Sequence, residues 1–181
     1  MHSSGVLVIA TLFGLAAADP IPAQCSSPVP QTCDYYTKCV EPAVNCGPKG
    51  YPLGYGLKYC QAFTAKKDKF TPAGQEWLFN VMECLQKDLV PVAQGSEVFT
   101  CPKLKAFAIA GHAKCYTERG HSICSLPPKD WFKIIGIIKA VVLEPGTIKT
   151  MLQIARSCGG NIFRQVSDNL EQPEQSLIES F

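Results

Sequence analysis

Residues 60–124 read CQAFTAKKDKFTPAGQEWLFNVMECLQKDLVPVAQGSEVFTCPKLKAFAIAGHAKCYTERGHSIC. Two amphipathic helical patterns lie in this stretch, and five of the ten cysteines punctuate it. The first pattern opens at Thr71-Pro72. Threonine is a good N-cap, and a proline at the first helical position loses no hydrogen bond. Trp77, Leu78, Val81, Met82, Leu85 and Leu89 then recur at helical spacing. Glu76, Asn80, Glu83 and Lys87 follow the other face, and Glu83 with Lys87 makes an i,i+4 pair worth roughly 0.3 kcal/mol. Cys84 sits at the edge of the apolar stripe, and Pro91 is expected to stop the helix. The second pattern opens at Thr100-Cys101-Pro102 by the same logic. Its inner stripe is Leu104, Phe107, Ala108, Gly111 and Cys115, and Gly120 suits its C-terminal cap.

Outside this stretch the chain continues in helical terms. Thr32 to Glu41 forms a short helix in this reading, ended by Pro42, with Cys33 and Cys39 on different faces and so bound for different partners. Residues 46–56, CGPKGYPLGYG, carry four glycines and two prolines and read as a turn-rich loop. Its Tyr51 and Tyr55 either pack the loop down or present a binding surface. Leu57 to Ala65 is a helix, joined to the next by the charged connector 66–69. A long apolar helix starts near Pro127-Pro128 and runs through Trp131, Ile134, Ile138 and Val142. Lys133 and Lys139 interrupt it and Glu144-Pro145-Gly146 ends it, which favours a buried core helix over a membrane span. Thr147 caps a last helix with stripe Ile148, Met151, Leu152 and Ala155, ended by Cys158-Gly159-Gly160. No alternation of strand type and no internal repeat is present, so the fold class is all-α: a disulfide-stapled helical domain with a Gly/Pro-rich N-terminal loop region.

Composition bounds the rest. Val6 to Ala18 is an apolar run of signal-peptide length with small residues at 16–18, so residues 1–18 are expected to be a cleaved signal peptide. Residues 19–32 form an irregular lead-in, 33–160 the helical domain, and 161–181 a tail that carries Asp168, Glu171, Glu174 and Glu179. An even set of cysteines behind such a leader implies a disulfide framework in a secreted, extracellular protein. Ten cysteines allow on the order of a thousand pairings, so counting alone leaves connectivity open. Paired CxxC knuckles are absent and the histidines do not stand at ligand spacing from the cysteines, so neither a metal nor another cofactor is expected. The net charge of +2 and the lack of any nucleic-acid motif argue against a nucleic-acid partner. No N-x-[ST] sequon occurs.

One stretch invites an enzymatic reading. His112-Ala113-Lys114-Cys115-Tyr116 resembles the catalytic region of secreted phospholipases A2, where a His precedes a Cys-Tyr pair, and YPLGYG could stand for their calcium loop. Those enzymes follow the His with a calcium-holding Asp, and here Ala113 occupies that place. Without calcium nothing polarises the ester or steadies the oxyanion. His121, Ser122 and Ser125 lack a catalytic context, so no catalytic residue is assigned and the protein is not expected to be an enzyme.

The cysteine pattern resembles the stanniocalcin family from Cys25 to Cys158. The likeness rests on Cys60-x23-Cys84 enclosing KFTPAGQEWL, on Cys101-x13-Cys115-Tyr116, then on Cys124 and a long gap to Cys158. It implies a secreted helical hormone or paracrine factor, linked to calcium and phosphate balance. Its partner would be an extracellular protein, either a receptor or a secreted metalloproteinase that cleaves growth-factor-binding proteins. It also implies five bonds: Cys25–Cys39, Cys33–Cys60, Cys46–Cys101, Cys84–Cys115 and Cys124–Cys158. The family's covalent dimer uses a further cysteine, and none follows Cys158, so a disulfide-linked dimer is not expected. The family's sequon is missing, and the 47–59 insert is richer in Gly and Tyr than the family's. A non-catalytic extracellular structural or fluid protein on the same scaffold is the alternative.

Overall fold

The computed structural model describes residues 23–118 and 120–159; the expected signal peptide and acidic tail lie outside them. Seven α-helices form among the described residues, with no strand: α1 (Glu41–Val44), α2 (Lys58–Ala65), α3 (Pro72–Asp88), α4 (Val90–Ala93), α5 (Cys101–Tyr116), α6 (Pro128–Ile138) and α7 (Pro145–Ser157). Two wider, π-helical segments lead directly into others, Tyr36–Val40 into α1 and Tyr51–Leu57 into α2. The fold is all-α, as the periodicity predicts.

The two best-marked helices start where their caps put them. Thr71 Oγ1 accepts from the Gly74 N–H at 3.1 Å to open α3. Thr100 Oγ1 accepts from the Lys103 N–H at 3.4 Å to open α5. Their inner faces meet: Trp77, Leu78, Val81 and Met82 of α3 and Leu104, Ala108 and Cys115 of α5 are buried. α5 packs against α3 on one side and α7 on the other, which makes it the centre of the helical body.

Five disulfides tie the elements together: Cys25–Cys39, Cys33–Cys60, Cys46–Cys101, Cys84–Cys115 and Cys124–Cys158. These are the pairs that the resemblance implies. No cysteine is left free among the described residues. A framework of this density fits an extracellular setting, where disulfides persist. No described helix is long and apolar enough to cross a membrane.

Several sequence expectations are corrected. Residues 51–56, expected to belong to the 46–56 loop, are helical. Pro52 falls in the first turn, where its missing N–H is harmless, and the glycines serve close approach. A Cβ on Gly56 would stand 2.6 Å from Cδ1 of the Tyr36 ring, and one on Gly54 would stand 2.9 Å from the Pro48 carbonyl. Pro42 does not end its helix but opens α1. It cannot donate to the ladder, and the widened Tyr36–Val40 turn before it is where the register changes. Pro91 likewise opens α4, which carries the chain on after α3 ends at Leu89. α5 is capped at Thr117, three residues before Gly120, and its Phe107 is exposed.

The C-terminal helices differ most. α6 ends at Ile138, short of Val142, and along it only Asp130 and Ile134 are fully buried. It is a half-buried flank, not a core helix. α7 begins at Pro145, so Thr147 lies inside it and not at its cap. Its buried face is Thr147, Thr150 and Ile154, while Ile148 and Leu152 are 44% and 51% exposed. The period is the expected one, but the face is turned toward two threonines. Threonine can be buried there because its hydroxyl finds partners: Thr150 Oγ1 donates to the Gly146 carbonyl at 3.1 Å.

α6 is fastened through Asp130, which is 0% exposed. Its Oδ1 accepts from the Thr71 N–H at 3.1 Å, and its Oδ2 accepts from the Thr71 hydroxyl. Lys133 Nζ stands 3.6 Å from Oδ1. Thr71 therefore caps α3 with its oxygen and gives its hydroxyl proton to α6.

Candidate functional site

The tyrosines at 51, 55 and 59 recur at i,i+4 spacing, so the helical course of 51–65 sets them along one side. Their rings form a chain. Tyr51 and Tyr55 stack with centroids 5.7 Å apart, and Tyr55 and Tyr59 tilt at 4.9 Å. From α5, His112 meets the Tyr55 ring edge at 6.4 Å and Tyr116 at 5.6 Å. Tyr116 then meets Trp77 of α3 at 5.2 Å, and the Trp77 indole N–H donates to the Tyr116 carbonyl at 3.2 Å. Edge and offset contacts of this kind suit the ring quadrupoles.

This aromatic chain walls two adjoining cavities. One, of about 50 Å³, lies toward α3 and Tyr36. The other, of about 60 Å³, lies toward α7. Tyr55, Tyr59, Phe63, His112 and Tyr116 face both. A groove of about 480 Å³ between α5 and α7 adjoins the second cavity and shares Ile109, Thr147 and Thr150 with it. The Lys105–Glu144 ion pair, at 2.9 Å, stands in this groove.

The Tyr59 hydroxyl is buried without a hydrogen-bond partner among the described residues. An unmade bond on a buried hydroxyl costs about 1–3 kcal/mol. Burial pushes the Tyr36, Tyr51 and Tyr116 phenols well above the ordinary tyrosine value. Mutual repulsion adds to this: ionising Tyr36, Tyr55 or Tyr116 would oppose ionising Tyr51. Burial raises the Tyr55 phenol too, against a smaller lowering effect from Thr147. All stay protonated and neutral at physiological pH.

Among the described residues that line the two cavities, His112 is the one ionisable base. Its Nδ1 lies 2.8 Å from the Ala108 carbonyl, which fixes the proton on Nδ1 and leaves Nε2 as an acceptor. Burial lowers its pKa below 6.5, against smaller raising effects from the Ala108 carbonyl and the Asp88 charge. Because the folded state resists the proton, the unfolded chain takes it up first. Stability is thus full above pH 6.5 and falls as the pH drops through and below that value. His112→Gln should flatten this fall, measured as urea unfolding midpoints between pH 7 and 5. An unchanged slope would assign the acid sensitivity to other groups.

Among the residues singled out from sequence, Tyr51 is not a surface residue. It is 4% exposed, because the helical course of 51–57 turns it inward onto Tyr36 and Gly56, and Tyr55 is half-buried beside it. His112, weighed as a catalytic base, has no carboxylate hydrogen-bonded to it among the described residues; its orienting partner is a backbone carbonyl. His121 lies apart, 3.5 Å from Glu76 at the surface. The ten cysteines all serve in bonds. Cys84, Asp88 and Cys115 come together as metal ligands would, but both sulfurs are spent in one disulfide and offer no thiolate. Sequence reasoning missed Tyr36, Tyr59, Trp77 and Tyr116 as parts of one site. The 51-55-59 spacing was the available signal, and the glycines and prolines around it masked it.

The fold and site define a disulfide-stapled, all-α protein with a tyrosine-lined internal cavity. No protein-family model, curated protein or solved structure matches the chain.

Proposed function

We propose that this chain is a secreted, stanniocalcin-like hormone or paracrine factor that acts by binding another extracellular protein, in the service of calcium and phosphate regulation. The observation that carries the reading is the pairing of the cysteines. All five bonds join the positions that the stanniocalcin resemblance implies, and four of them span 27 to 55 residues, so they set the tertiary arrangement. The outward face of α7 supports a protein partner. Ile148 and Leu152 stand one turn apart on it, and Leu143 just before it is 82% exposed. Large apolar side chains grouped on a helix face in this way are the kind of surface that a protein partner covers, and they support the reading. The reading assigns no catalysis to the chain, since the sole histidine of the cavity is oriented by a backbone carbonyl.

The test is inhibition of a secreted metalloproteinase that cleaves growth-factor-binding proteins. Adding the purified chain should slow cleavage in a saturable way. The double variant Ile148→Glu/Leu152→Glu should lose at least ten-fold in potency, with its thermal midpoint within about 2 °C of the parent, as surface changes normally allow. The absence of both inhibition and complex formation on size exclusion would sink the proposal. So would calcium-dependent hydrolysis of phosphatidylcholine liposomes that His112→Ala abolishes.

A further inference from the structure

We propose that the paired cavities behind Tyr55 and Tyr59 are a binding site for a small, neutral, single-ring aromatic molecule that carries one hydroxyl or ring N–H. This assignment is independent of the protein-binding face on α7.

Shape and chemistry both support it. The walls are ring faces and edges from four elements, so a flat ring inserted between them gains offset or edge contacts on several sides. Phe63 with Leu78, Val81 and Met82 closes the rest of the first cavity with apolar surface. Polar side chains stand in these walls. Tyr59, 8% exposed, faces both cavities with a buried hydroxyl that no described residue pairs. His112, whose Nδ1 proton is engaged by Ala108, keeps Nε2 as an acceptor in the same wall. A ligand hydroxyl can accept from Tyr59 and donate to Nε2, whereas a ring N–H can donate to Nε2 alone. No carboxylate or ammonium lines the first cavity, so a charged ligand would enter uncompensated. The cavity volumes, about 50 and 60 Å³, set the ceiling on size. One water needs roughly 10–15 Å³ and a dry cavity of about 150 Å³ takes benzene, so neither cavity alone holds a ring; the smallest single ring must span both, and nothing as long as a fatty acyl chain enters. The groove between α5 and α7, which meets the inner cavity at Ile109, Thr147 and Thr150, is the way in.

The experiment titrates the intact, oxidised protein with phenol, pyrrole and benzoate by calorimetry, with thermal midpoints in parallel. Phenol and pyrrole should bind once per chain and raise the midpoint, and benzoate should do neither. Tyr59→Phe removes the unpaired hydroxyl. It should weaken phenol about ten-fold while the unliganded variant is as stable as the parent or more so. Val81→Phe, which fills the first cavity, should abolish binding. Saturable phenol binding that is undiminished in both variants would place the site elsewhere and overturn the proposal. So would the absence of heat and of any midpoint shift at millimolar phenol, which would mean that the cavities hold only water. A Tyr59→Phe protein that is less stable than the parent would show that the hydroxyl is paired in solution, and would remove the main observation behind the site.

Discussion

Asp130→Ala should lower stability by about 3–5 kcal/mol, the largest effect expected of any single substitution in this chain. The carboxylate is fully buried and accepts two bonds from Thr71, one from the backbone N–H at 3.1 Å and one from the hydroxyl. Bonds to a charged acceptor contribute about 1.5–3 kcal/mol each. Removing it also strands Lys133, whose side chain is only 16% exposed and whose Nζ stands 3.6 Å from Oδ1. For a chain of this size the loss corresponds to a fall of roughly 10 °C in thermal midpoint. Gly74 makes the contact testable in a second way. A Cβ there would collide with the Asp130 carboxylate, so Gly74→Ala should be costly in the parent and clearly less so in the Asp130→Ala background, where the Phe70 Cβ at 3.1 Å is the close neighbour that remains. Additive losses in that double-mutant cycle would show that the carboxylate does not sit where the structure places it.

The second large effect is expected from Cys46→Ser/Cys101→Ser. This bond spans 55 residues, the longest separation of the five, and ties the turn after α1 to the first residue of α5. Constraint of the unfolded chain alone makes it worth about 4 kcal/mol, against about 3 kcal/mol for Cys25–Cys39, which spans 14. Denaturant unfolding of the two double-serine proteins should reproduce that order. The reverse order would mean that native packing around Cys25, and not loop length, sets the contributions. Losing the Cys46–Cys101 bond should also speed amide exchange across residues 51–57, which pack on α5 beside it.

Legibility of the sequence followed the kind of signal each segment carries. α3 and α5 were readable because cap, proline and apolar stripe agreed. Thr71 and Thr100 cap as their position predicts, and Leu78 and Leu104 are buried as their spacing predicts. Residues 51–56 were misread because Gly and Pro are weighed as breakers. In the folded chain Gly56 is there to let the Tyr36 ring lie against the backbone, a reason that exists only once Tyr36–Val40 is in place. α7 was read with the right period and the wrong face, since Ile148 and Leu152 outrank Thr147 and Thr150 on any hydropathy scale. The aromatic site was invisible as a unit because its members come from residues 36, 51–59, 77, 112 and 116.

By itself, then, the sequence determined that the chain is helical, where the two central helices begin, and that its cysteines form a disulfide framework. These are local matters, governed by caps, periodicity and redox chemistry. Tertiary structure alone decided which tyrosines turn inward, that Asp130 reaches across 59 residues to cap a cap, and that a cavity with an unpaired hydroxyl lies between α3, α5 and α7. The physical reason is that burial and hydrogen-bond satisfaction are properties of neighbours in space. A tyrosine or an aspartate carries no mark in the chain that says which partner, or which empty volume, the fold will set against it.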